Sequence, residues 1–135
     1  MVRKNGEEQP RQIVLAVDDL PSNLTKIKEV LGTLYDIRLA KNAPMALSMM
    51  NRIHVDLVLL DIEMPCVSGF DFMDICRNDT SKSKIPVIFV TSHATEEFVV
   101  RAARAGVRDY IAKPFDPHVL LAKVYDVIGC QCLGI

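Results

Sequence analysis

Short apolar runs of strand length alternate five times with longer segments of helical periodicity, and this alternation restricts the chain to a parallel α/β sheet. The predicted strands are Ile13–Val17, Tyr35–Ala40, Val55–Leu60, Pro86–Val90 and Val107–Ile111. The runs at 13, 55 and 86 are apolar nearly throughout, as in central strands covered on both faces, whereas Tyr35–Leu39 alternates in the manner of an edge strand. Between them, helices are expected at about 21–31, 44–52, 69–77, 95–105 and 117–128. Pro21 suits a first helical turn and Gly32 a stop; the 69–77 segment carries the weakest pattern. Met45, Met49 and Met50 fall at helical spacing, which points to core filling rather than a methionine-rich binding face.

A chain of 135 residues is the size of one ordinary domain. Half its residues are hydrophobic (50%) and 24% are charged, a composition that forms a packed core in water. The formal net charge of -1, with basic residues scattered, argues against direct nucleic-acid binding. No apolar run approaches the roughly 18 residues of a membrane span, and Met1–Gln12 lacks the apolar centre of a signal peptide, so a cytoplasmic location is expected. The four cysteines show no disulfide spacing and read as thiols. Cys130 and Cys132 form a C-x-C, but a zinc site normally needs four ligands and no partner pair stands nearby.

Acidic residues stand at the carboxyl ends of two apolar strands: Asp18 and Asp19 after the first, and Asp61 after Val55–Leu60. In open α/β sheets, ligands bind outside those strand ends. Asp18 and Asp19 serve one site only if the strand has ended and the chain is turning, which Pro21 supports. Turn-forming acids are often merely solvated, but three brought together repel one another and call for a cation. Mg²⁺ takes hard oxygens and commonly uses one or two carboxylates together with phosphate oxygens. The ends of the remaining strands fit the same chemistry, because Thr91 offers a hydroxyl and Lys113, just before Pro114, an ammonium for a phosphoryl group.

Taken in order, Val17-Asp18-Asp19, Leu59-Leu60-Asp61-Ile62-Glu63-Met64-Pro65, Gly69-Phe70, Val90-Thr91-Ser92 and Asp109-Tyr110-Ile111-Ala112-Lys113-Pro114-Phe115 resemble a response-regulator receiver domain of two-component signalling, similar to the chemotaxis regulators. The resemblance implies a doubly wound, flavodoxin-like α/β fold with a five-stranded parallel sheet in the order 2-1-3-4-5, flanked by five helices. It covers residues 12–128, leaving an extension at 1–11 and a tail at 129–135. Asp61 is similar to the phosphoacceptor; Asp18, Asp19, Asp61 and the carbonyl of Glu63 to the metal ligands of Mg²⁺ or Mn²⁺; Lys113 to the phosphate-pairing lysine; Thr91 and Tyr110 to the switch pair. Ser92 stands where the family usually has Ala or Gly, and Ser68 where an acid is frequent, though neither departure removes a chemical role.

The implied function is that of a signalling phosphoacceptor, not an enzyme beyond weak self-phosphorylation and autodephosphorylation. A histidine kinase or phosphotransfer protein supplies the phosphoryl group, and the surface of helix 4, strand 5 and helix 5 carries the signal to an effector domain, an effector protein or a second copy. No membrane partner is implied. Glu63 and His93, each two residues past a site residue, are expected at the rim, tuning the lifetime of the acyl phosphate, while His54 and His118 read as solvated loop histidines. Competing classes lack parts. A haloacid-dehalogenase-type phosphatase wants Asp where this chain has Glu63, and a flavodoxin-like mononucleotide binder wants a glycine- or hydroxyl-rich loop where it has Asp-Asp-Leu-Pro. The closest rival, a degenerate receiver serving only as a protein-interaction module, tends to have lost an acid or the lysine, and none is missing here.

Overall fold

The structure, a computed structural model, describes residues 10–64 and 67–131. Five strands alternate with five helices: β1 (Ile13–Val17), α1 (Pro21–Leu31), β2 (Asp36–Ala40), α2 (Ala43–Arg52), β3 (Leu57–Asp61), α3 (Gly69–Arg77), β4 (Val87–Thr91), α4 (Glu96–Arg104), β5 (Asp109–Ala112) and α5 (Pro117–Ile128). All pairings are parallel and the order is β2-β1-β3-β4-β5, so the alternating strand outside is β2, as its pattern predicts.

Successive strand residues point to opposite faces, and the core divides accordingly. Val14, Ala16, Leu57, Leu59, Val90 and Ile111 pack toward Leu24 and Ile27 of α1 and Leu120 and Val124 of α5. Leu15, Val17, Val58, Leu60 and Phe89 pack toward Ala46 and Met50 of α2, Phe72 of α3 and Ala102 of α4. Burying each such large side chain contributes roughly 1.5–3 kcal/mol, which explains why near-continuous apolar runs mark the middle of the sheet. Of the methionine group, Met50 is buried in the core whereas Met45 is exposed.

Local chemistry sets the helix ends. Side-chain oxygens of Asn42, Ser68, Thr95 and Asp116 cap α2, α3, α4 and α5 by accepting the N–H groups of Met45, Asp71, Phe98 and both His118 and Val119, which satisfies donors that a helix start leaves unpaired. The weakly patterned α3 is thus held by its cap and by buried Phe72, Met73 and Cys76. Gly106 follows α4 at φ 91°, a left-handed conformation that favours glycine. At Gly69 the constraint is space, because a Cβ there would lie 2.4 Å from Ile62 Cγ2.

Three strands run one residue further than their apolar runs suggest. Asp61 pairs with Val90 across β3–β4 and Thr91 with Ala112 across β4–β5, so both polar residues belong to the ladder. Tyr35, predicted to open β2, precedes it instead; it is 1% exposed, and its hydroxyl donates to the Gly129 carbonyl at 2.6 Å. Gln12 holds the same segment, its amide donating to Ile128 O at 2.5 Å and accepting from Gln131 N at 2.9 Å. Cys130 is consequently buried in the core, while Cys132 lies outside the described residues.

Candidate functional site

Register brings the site together. Because Val17 pairs with Leu60, Asp18 emerges beside Asp61, on the face where Ala16 and Leu59 meet α1 and α5. Lys113 follows Ile111 by two residues and so leaves β5 toward that same face. Its ammonium stands 3.2 Å from Asp61 Oδ2 and 3.3 Å from Asp18 Oδ2. The Lys113–Pro114 peptide bond is cis.

Asp18 and Asp61 are buried, at 2% and 3% exposure, and therefore require partners. Asp18 Oδ1 accepts from Leu20 N at 2.9 Å and Oδ2 from Asn23 Nδ2 at 3.0 Å, fixing the acid to the start of α1. Asp61 Oδ1 accepts from Glu63 N at 3.0 Å, leaving Oδ2 toward Lys113. Asp19 is exposed, yet one carboxylate oxygen from each of Asp18, Asp19 and Asp61 can be chosen so that all lie within 4.8 Å of one another. Three hard oxygen donors converging at the surface end of a sheet fit a magnesium-type cation, which would complete its shell with water and a carbonyl such as that of Glu63.

Burial, and after it the Asp18 charge, pushes the Asp61 carboxyl above its ordinary range, against the Glu63 N–H bond and the Lys113 ammonium. Burial opposes the charge on Lys113, but Asp18 and Asp61 together hold its pKa above the usual lysine value. Three carboxyl groups thus face a single ammonium, an acid-rich arrangement suited to a cation.

Thr91 ends β4 fully buried, and its hydroxyl donates to Glu63 Oε1 at 3.0 Å. Tyr110 stands one strand away and half-buried, its ring edge-on to Phe98 of α4 at 6.3 Å between centroids. The side chain of Glu63, a residue expected at the rim, is turned onto β4 and the residue after it, accepting also from Ser92 N at 3.1 Å and Ser92 Oγ at 2.7 Å. Although burial works the other way, the Ser92 and Thr91 hydroxyls and the Ser92 N–H keep the Glu63 carboxyl below its ordinary range. His93 is exposed beside the site, and its backbone N–H donates to Thr91 Oγ1 at 3.0 Å. His54 pairs instead with Asp56 at 3.0 Å, and His118 sits exposed at the start of α5.

Two contributors escaped the sequence reading. Asn23 could be found as the i+5 neighbour of Asp18 on the first turn of α1, where an amide faces the strand end. Lys26, one turn further, donates to the Phe115 carbonyl at 3.0 Å and has no signal in sequence. With Glu63, Ser92 and Lys113 both residues line a cleft of about 370 Å³.

Residues 14–125 match the family described as the response regulator receiver domain. The chain belongs to that family. It is accordingly a receiver domain of two-component signalling. It is 35% identical over 115 residues to the DNA-binding response regulator MtrA of Mycolicibacterium smegmatis, an alignment covering 84% of the chain and 49% of MtrA. It is also 31% identical over 125 residues to a probable cyclic di-GMP phosphodiesterase of Vibrio cholerae, covering 93% of the chain and 28% of that protein. The chain thus spans less than half the length of these relatives. Among solved structures, the chemotaxis protein CheY4 of Vibrio cholerae superposes with a TM-score of 0.81 at 26% identity, covering 86% of the chain and 98% of CheY4. The receiver domain of a Pseudomonas aeruginosa sensor histidine kinase, solved with a magnesium ion coordinated in its active-site cleft, gives 0.78 at 29% identity, covering 87% and 98%. Among the described residues of the receiver, no helix is long and apolar enough to cross a membrane.

Proposed function

We propose that the chain accepts a phosphoryl group on Asp61 in a divalent-metal-dependent reaction and passes the signal on through its α4–β5–α5 surface. The observation that carries this reading is the convergence of Asp18, Asp19 and Asp61 within 4.8 Å, with the Lys113 ammonium 3.2 Å from Asp61. An acceptor carboxylate, a cation site and a fixed counter-charge are the parts that phosphoryl transfer to an aspartate needs. That the Pseudomonas receiver holds a magnesium ion in its active-site cleft supports a cation site here.

Asp61 Oδ2 attacks phosphorus in line, forming the O–P bond as the N–P bond of a phosphohistidine breaks and its electron pair returns to the imidazole. Glu63 N–H holds the other oxygen, which aims Oδ2 outward. Lys113 balances the developing charge on the transferred oxygens. Asp18, Asp19, Asp61 and the Glu63 carbonyl would hold Mg²⁺ or Mn²⁺, which when bound would supply further charge neutralisation. Phosphorylation draws in the Thr91 hydroxyl and, with it, Tyr110, altering the face that α4 presents. Glu63 and His93 set how fast water removes the phosphoryl group.

A histidine kinase or phosphotransfer protein is the donor partner, in a cytoplasmic setting; an effector domain, an effector protein or a second copy of the chain receives the output. The reading is tested by incubating the protein with acetyl phosphate, with and without Mg²⁺. A phosphoryl adduct that forms with Mg²⁺ and fails to form when the metal is chelated beforehand is expected. Its absence under both conditions leaves the receiver a protein-interaction module alone.

A further inference from the structure

A hydroxyl carries one hydrogen, and that of Thr91 is committed: Oγ1 donates to Glu63 Oε1 at 3.0 Å while accepting from His93 N at 3.0 Å. In this arrangement Thr91 has no hydrogen left for a phosphoryl oxygen. Glu63 is itself held chiefly by Ser92, which contributes its N–H to Oε1 at 3.1 Å and its hydroxyl to Oε2 at 2.7 Å. Bonds to an ionised carboxylate are the stronger kind. The loop after β3 is thereby tied to the residues that end β4, across the mouth of the site.

We propose that Glu63 and Ser92 form a latch that keeps Thr91 in its unphosphorylated position, so that Ser92 is a positioning residue setting the threshold for switching. The inference rests on the acceptor reading of Asp61. Phosphorylation places close to two negative charges beside the Asp61 oxygen, near the Glu63 carboxylate, and this repulsion opens the latch and frees the Thr91 hydrogen. Serine at 92, where the resemblance leads one to expect Ala or Gly, supplies one of the three side-chain and backbone donors to Glu63 and makes the resting state harder to leave.

The test has two arms. In the first, beryllofluoride with Mg²⁺ is titrated against the wild type, Ser92→Ala and Ser92→Thr, with binding followed by amide shifts. Losing one charge-assisted hydrogen bond from the resting state is expected to tighten half-saturation roughly three- to tenfold in Ser92→Ala, and Ser92→Thr, which keeps the hydroxyl, returns it toward wild type. Half-saturation in Ser92→Ala equal to or weaker than wild type overturns the latch. The second arm needs no phosphoryl mimic: amide exchange at residue 92 is compared between wild type and Glu63→Ala. Faster exchange in the variant is expected, and equal exchange overturns the proposal. Should the wild type fail to bind beryllofluoride, the acceptor reading falls and the exchange arm alone decides whether the latch exists.

Discussion

Lys26 Nζ donates to the Phe115 carbonyl at 3.0 Å and lies 4.6 Å from the centre of the same residue's ring. The contact joins α1 to the segment that follows Lys113, so it holds the β5–α5 loop against the helix that also positions Asp18. Replacing Lys26 by Met keeps the aliphatic packing but removes the charge, at a cost of about 1 kcal/mol in stability. Labelling by acetyl phosphate is expected to slow several-fold, less than for Lys113→Ala. Equal rates for Lys26→Met and wild type would show that the loop holds Lys113 without this anchor.

Asp19 differs from Asp18 in being exposed, so its carboxylate adds little to the fold. Asp19→Ala is expected to change unfolding free energy by no more than about 0.5 kcal/mol. Mg²⁺ affinity should nonetheless fall clearly in a calorimetric titration, since one of three converging oxygens is gone. Unchanged affinity would remove Asp19 from the metal site.

His93 stands exposed next to Thr91, where a side chain can order water near the phosphoryl group. His93→Ala should alter the decay of phosphorylated protein after donor removal, and a tenfold change corresponds to about 1.4 kcal/mol in barrier. Decay at the wild-type rate would deny the imidazole a part in the lifetime.

How far the sequence revealed this molecule depends on the range of each interaction. Apolar runs and helical spacing are local, and they placed all five strands and helices to within a residue or two, with β2 at the edge. Strand ends defined by a polar residue were misjudged by one position, because Asp61 and Thr91 interrupt the apolar pattern while still belonging to the ladder. Asp18, Asp61 and Lys113 were legible because register converts three separate strand ends into one place. The contacts of Glu63 with Ser92, of Lys26 with Phe115 and of Gln12 with Gln131 span 29, 89 and 119 positions and follow no period, so nothing in the order of residues announces them.

Away from the site, Lys82 is 5% exposed and donates to Asp79 Oδ2 at 2.7 Å and to Asn51 Oδ1 at 2.6 Å, tying the loop after α3 to α2. The bond from Lys82, and then those from Ser81, lower the Asp79 pKa from 3.8 to about 2. A pKa depressed in the folded state means stability that is fully present above the unfolded value and is lost as pH falls through the folded one. The stability difference between wild type and Asp79→Asn in denaturant titrations should therefore be constant at pH 5 and above and shrink between about pH 4 and pH 2. A difference independent of pH would contradict the ion pair.

The central claim is that Asp61, and no other carboxylate of the cluster, carries the phosphoryl group. Borohydride reduces an acyl phosphate to an alcohol, so aspartate that had been phosphorylated becomes homoserine and keeps a permanent mark. After acetyl phosphate, Mg²⁺ and borohydride, peptide mass spectrometry is expected to find homoserine at position 61 in the wild type and none in Asp61→Asn. Homoserine at position 18 or 19, or equal conversion in the variant, would contradict the account.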